Sequence, residues 1–160
     1  MLAHGDFLDT AITDLANRLD QVVTPFQEVI DRVITIPGVP RRTSVMLRVE
    51  CGADMTVFPT AAHQASWAGI CPGNNDSGGK GRPRHTRHCQ IALRTALTEA
   101  THVAWTKGTY VAAHHAQIRG RRGPAKAIGA TRHDILLAYW HVVHDGVDYR
   151  GLGPDWATGA

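Results

Sequence analysis

Residues 8–34 read LDTAITDLANRLDQVVTPFQEVIDRVI, and the placing of their apolar side chains decides the fold class. Leu8, Ile12, Leu15, Leu19, Val22, Phe26, Val29 and Val33 follow one another at alternating steps of four and three, a period of about 3.5 residues along one helical seam. Such a seam wants a partner helix, either a neighbour in the same chain or a second copy in a coiled coil. Pro25 interrupts it, and an interior proline costs a helix about 3 kcal/mol. Thr24 is therefore expected to cap a fresh helix, with Pro25 in its first position and Gln27 closing a capping box. The reading is two helices in tandem, bent near residue 24.

Working outward, TIPGVP (35–40) breaks the helix, and residues 41–51 read as a short helix stopped by Gly52. A helix, a glycine-containing hairpin and a helix suit a helix-hairpin-helix unit, whose amides and helix N-terminus hold a DNA phosphate without reading sequence. Arg41 and Arg42 sit where they could help. An ordinary helix–helix connection fits equally well, because Pro40 stands where the motif's second glycine is usual. Thr60 caps a further short helix, AAHQASWAG (61–69). An alanine-rich helix is expected from about 86–88 to 107, with Leu93, Ala96, Leu97, Ala100 and Val103 on one face. A shorter helix covers about 109–118, and the basic turn 119–123 follows. Pro124 opens a last long helix to about His144, with Ile128, Ile135, Tyr139 and Val142 inward. No alternating strand pattern competes, so the expected fold is all-α. The expected units are a coiled-coil-like connector at 1–34, a helical domain at 35–150 and a tail at 151–160.

The chain has 160 residues, 43% of them apolar and 19% charged, enough for one domain with a core. It has no apolar run of about 18 residues, and MLAHGDFLDT carries acids where a signal peptide needs bases. Cys51, Cys71 and Cys89 form no C-x-x-C pair, so no disulfide framework is written here, and the expected location is the cytoplasm, without membrane contact. A formal net charge of +3 conceals a block: residues 71–132 hold eleven bases and two acids, between ends that are each net acidic. Clustered cations suit a phosphate backbone, because each contact releases counterions. They also suit a solvated face.

Residues 71–88, CPGNNDSGGKGRPRHTRH, are too rich in glycine, proline and asparagine for a regular element, and Lys80, Arg82, Arg84 and Arg87 are spaced along them. Ser44 and Ser66 fall inside expected helices, which leaves Ser77 as the one serine in this basic loop. Glycines let backbone approach a phosphate, and guanidinium groups stabilise charge on a five-coordinate phosphorus, so Ser77 has the parts of a phosphodiester nucleophile. A loop serine can equally be a turn former. His85, His88 and Cys89, with Cys71 upstream, offer soft donors for zinc but lack paired spacing at both ends. Two-metal nuclease chemistry needs several convergent carboxylates, and the basic block has Asp76 and Glu99 alone. GNNDSGGKGR (73–82) fails the P-loop spacing, and Tyr110 and Tyr139 fall on helix patterns.

Taken together, TIPGV (35–39), RRTSVMLRVECGADMTVFPTAAHQASWAGICPGNNDSGGKGR (41–82), LRTAL (93–97), TKGTYVAAH (106–114), RGRRGPAKAIGA (119–130) and HDILLAYWHVVHDGVDYRGLG (133–153) resemble one family. That family is the C-terminal region of the one-ten/one-sixteen insertion-sequence transposases. The resemblance runs over roughly residues 20–156 and is densest through SWAGICPGNNDSGGK. It implies DNA recombination by a serine nucleophile, here Ser77, and a connector descending to residues 8–33 that pairs copies of the chain. It implies DNA as partner, a structured guide RNA, and contacts to nucleic acid from Lys80, Arg82, Arg84 and Arg87, with Arg119, Arg121 and Arg122 as further basic candidates. The family's divalent metal belongs to a separate acidic N-terminal domain, so no cofactor and no metal site is expected on this chain. His88-Cys89-Gln90, Ala92 and Pro40 depart from the family pattern, and the chain reads as a truncated copy. The alternative is a non-catalytic nucleic-acid-binding or dimerisation module.

Overall fold

The computed structural model describes all residues except 1, 53, 72–75, 78–79, 82–89, 107, 154 and 156–160, and for 2, 3, 76, 77, 80 and 81 it describes the backbone alone. The described chain is helical apart from one small hairpin. Helix α1 runs Leu2–Val23, a 3₁₀ turn covers Thr24–Phe26, and α2 runs Gln27–Ile34. Helix α3 is Arg41–Cys51, α4 is Ala61–Trp67, α5 is Ile91–Ala104, α6 is Tyr110–Arg122 and α7 is Pro124–Asp145.

The break at Pro25 is real, but its chemistry differs from the expected capping box. Thr24 Oγ1 donates backward to the Asp20 carbonyl at 2.8 Å, closing the end of α1 rather than opening α2. Gln27 gives its amide to Asp31 and its carbonyl to Arg41, so neither half of the box forms. Proline sets φ for a 3₁₀ turn as readily as for an α-helical first turn, and the chain takes the tighter course.

Helix α7 is the spine of the bundle, packing against α2, α4, α5 and α6, while α3 packs against α2 and α5. Leu93, Leu97, Ala100 and Ala104 of α5 meet Ile135, Leu136 and Tyr139 of α7 in one buried cluster that also takes in Leu47 and Ala65. Val103, expected inward, is exposed, and Thr101 and Ala104 take the inner face instead. Ile128 is half-buried. Burying one such leucine or isoleucine contributes about 1.5–3 kcal/mol, so this face outweighs the modest intrinsic propensity of any single helix.

One polar tie fixes a loop to the spine, and a second joins the segment after α7 to the turn after α2. Trp140 Nε1 donates to the Phe58 carbonyl at 3.1 Å, and the Tyr149 amide donates to Thr35 Oγ1 at 2.8 Å. The 35–40 hairpin is pressed onto α5 at Gly38, whose φ is +85°, with Ile36 and Val39 buried beside it. A Cβ there would lie 2.3 Å from the Ala100 carbonyl oxygen, so nothing larger than glycine fits.

Candidate nucleic-acid interface

Helix α4 starts at Thr60, whose hydroxyl accepts from the His63 amide as a side-chain cap, and its terminal turn leaves the helix at Gly69 with φ +68°. From there the chain leads into the glycine-rich segment. Contrary to the expectation of no regular element, Asp76–Ser77 and Lys80–Gly81 form two antiparallel strands, with Ser77 opposite Lys80 and Asp76 opposite Gly81. The signal was present in Gly78-Gly79, since a Gly-Gly pair is a favoured two-residue hairpin connection. Strands of two residues carry no readable alternation, which is why the pattern was silent. The expected contacts Arg82, Arg84 and Arg87, and the soft donors His85, His88 and Cys89, lie outside the described residues.

Of the other basic candidates, Arg41 is committed within the chain. Its guanidinium donates to Gln27 Oε1 at 2.9 Å and to Asp20 at 3.2 Å, joining the start of α3 to the end of α1. Arg42 is exposed at the same helix start, where no side chain caps the first turn. Arg119, Arg121 and Arg122 were expected in a turn after a helix ending near 118, yet α6 continues to Arg122 and stops at Gly123, φ +86°. All three are exposed in its last turn, where cations also favour the helix's unpaired carbonyls. Lys126 extends the exposed basic surface into the first turn of α7.

The titratable groups of the helical body are arranged for packing rather than for nucleophilic attack. Tyr139 is fully buried, and burial raises its phenol pKa. Burial also raises the phenol pKa of Tyr110 and Tyr149 and the thiol pKa of Cys71, which disfavours their reactive anions. Asp134 and His114 meet at 2.6 Å across α6 and α7, where burial lifts the carboxyl above its usual range and the imidazole partly offsets this. Asp145 is shared by His144 and His141 at the end of α7, and those hydrogen bonds lower its pKa. Among the described residues no group of three His, Cys, Asp or Glu could hold a metal ion, and no helix is long and apolar enough to cross a membrane.

The sequence pattern missed one further feature. Trp105, at the end of α5, stands against His115, ring centroids 4.7 Å apart, and with α6 it borders a cleft of about 470 Å³. A single tryptophan at a helix end carries no periodic signal.

The class so defined is an all-helical bundle carrying a small serine- and lysine-bearing hairpin and an exposed cluster of arginines. The chain belongs to the Transposase IS116/IS110/IS902 family, which residues 30–116, just over half of it, match. Ser77 lies inside that span, and Arg119, Arg121 and Arg122 lie beyond it. A curated relative, "Insertion element IS110 uncharacterized 43.6 kDa protein" of Streptomyces coelicolor, is 40% identical over 72 residues, covering 43% of this chain and 18% of the relative. The chain thus spans less than a fifth of that relative's length.

Proposed function

We propose that this chain is the serine-bearing part of a DNA transposase, with Ser77 as nucleophile. The carrying observation is that Ser77 falls within the family-matched span and pairs in register with Lys80. In this reading Ser77 Oγ attacks a DNA phosphorus. An ester bond forms from serine to phosphorus as the bond to a deoxyribose oxygen breaks, and the serine proton leaves with that oxygen. Attack by the freed hydroxyl of another strand reverses the exchange and restores the serine. Cations of the basic block stabilise the extra charge on phosphorus in the transition state. The resemblance assigns its divalent metal to a separate acidic domain, and none of the residues named here is given a ligand role. Arg42 at the open N-terminus of α3 and the arginines of α6 hold DNA, or the structured RNA that guides it, by phosphate contacts.

The test is a family member in which the corresponding segment is exchanged for this one. Ser77→Ala abolishes the covalent protein–DNA adduct and leaves DNA binding nearly unchanged. An adduct that survives the substitution assigns the chemistry to another residue.

A second feature supports association of copies. Leu8, Ile12, Leu15, Leu19 and Val22 are 46–68% exposed, so the seam of α1 finds no partner among the described residues. Pairing of two such seams is the reading in which the chain serves also, or instead, as a dimerisation module.

A further inference from the structure

The cleft beside Trp105 belongs to none of the elements that carry Ser77. Ala112, His115, Ala116 and Arg119 follow at steps of three, one and three on a single face of α6, and Gly120 ends the row. Small side chains at Ala112, Ala116 and Gly120 leave room above the helix, and Trp105 forms the facing wall. Among the described residues no carboxylate lines the cleft, and Arg119, exposed at one end, supplies a cation. His115 is 97% buried, being 3% exposed, and its Nδ1 is taken by Thr131 Oγ1 of α7 at 2.9 Å. Its Nε2 has no hydrogen-bond partner among the described residues. That nitrogen has essentially no accessible surface, so it lies behind the wall of the cleft, and His115 contributes its ring to that wall.

These parts match one chemistry. An indole wall takes a flat aromatic ring by stacking, small alanine and glycine side chains leave the ring room above α6, and a guanidinium at the end of the cleft takes the attached phosphate. The volume of about 470 Å³ falls within the range of small-molecule sites and is ample for one base with its sugar. We propose that the Trp105–α6 cleft holds a single unstacked nucleobase of an unpaired strand, stacked on Trp105 with its phosphate on Arg119. The proposal rests on the nucleic-acid reading above and names the form of nucleic acid this surface prefers. Burial first, and then Arg119, lowers the pKa of His115 from the ordinary histidine value, in keeping with its place in the wall of the cleft.

The experiment uses the full chain at one fixed salt concentration, with a short single-stranded oligodeoxynucleotide of mixed sequence, the matching oligoribonucleotide and the duplex as probes. Ala116→Leu fills the slot from an exposed helical position, and Trp105→Leu keeps an apolar side chain without a stacking face. Both variants should lose about fivefold or more in affinity for at least one single strand, the loss expected of one stacked base, with duplex affinity unchanged. Whichever strand responds names the source of the base. Single-strand affinities unchanged in Ala116→Leu overturn the proposal, as does an equal loss for single strand and duplex. A wild-type chain that binds duplex but neither single strand also overturns it while leaving the nucleic-acid reading intact. A chain that binds none of the probes overturns both.

Discussion

Gly38 shows how one residue couples two elements. Its left-handed φ of +85° costs an L-residue about 1–2 kcal/mol, and its Cβ would also lie 2.3 Å from the Ala100 carbonyl oxygen and 2.6 Å from Ala104 Cβ, both on the rigid face of α5. Neither atom is the end of a flexible side chain, so α5 or the hairpin must shift. Gly52 is the comparison, because at φ +81° and ψ 177° a side chain there meets a backbone cost alone, with open space around it. Gly38→Ala should therefore destabilise by about 3 kcal/mol or more, and Gly52→Ala by less, within about 1–3 kcal/mol. Urea unfolding followed by circular dichroism measures both. Equal losses would mean that the hairpin does not press on α5. The sequence TIPGVP marked the turn plainly, whereas the contact sixty residues downstream has no signature in it.

At the level of elements, α1 carries the clearest test. Leu15 and Leu19 are exposed in the single chain, at 68% and 50%, so the bundle built on α7 does not need them. Leu15→Asp with Leu19→Asp should leave the unfolding midpoint of the body nearly unchanged and abolish concentration-dependent association in sedimentation velocity. Identical sedimentation of the two proteins at every concentration would remove α1 as the pairing surface. Elements whose ends carry local chemistry were legible: α3 fills 41–51 up to Gly52, α4 follows the Thr60 cap, and α7 begins at Pro124 and closes at Gly146. Elsewhere distant partners decided. Gln27 was free to join a capping box until Arg41, fourteen residues on, claimed its carbonyl. The glycines at 120 and 123 both read as turn signals, yet α6 runs through the first and stops at the second. A two-residue strand such as that holding Ser77 lies below the length at which any period can be read.

Across the whole molecule, charge is the property most directly tied to the proposed role. The eleven bases of residues 71–132 lie between net-acidic ends, and Arg121 and Arg122 project from the last turn of α6. Two explanations compete for that pair. As helix-end cations they interact with unpaired carbonyls, a contribution of about 0.3–1 kcal/mol each that concerns stability alone. As phosphate contacts they release counterions, and each adds about one to the steepness with which log affinity falls against log salt. The two differ in what they move, so one variant separates them. Arg121→Gln with Arg122→Gln should weaken duplex DNA binding at low salt and flatten the salt slope by about 2, whatever the DNA sequence. It should lower the unfolding free energy by no more than about 2 kcal/mol. Fluorescence anisotropy titrations at several salt concentrations give the slope, and a urea curve gives the stability. A variant that is less stable but keeps the wild-type slope would show that these arginines serve the helix end and that the nucleic acid lies against another part of the basic block.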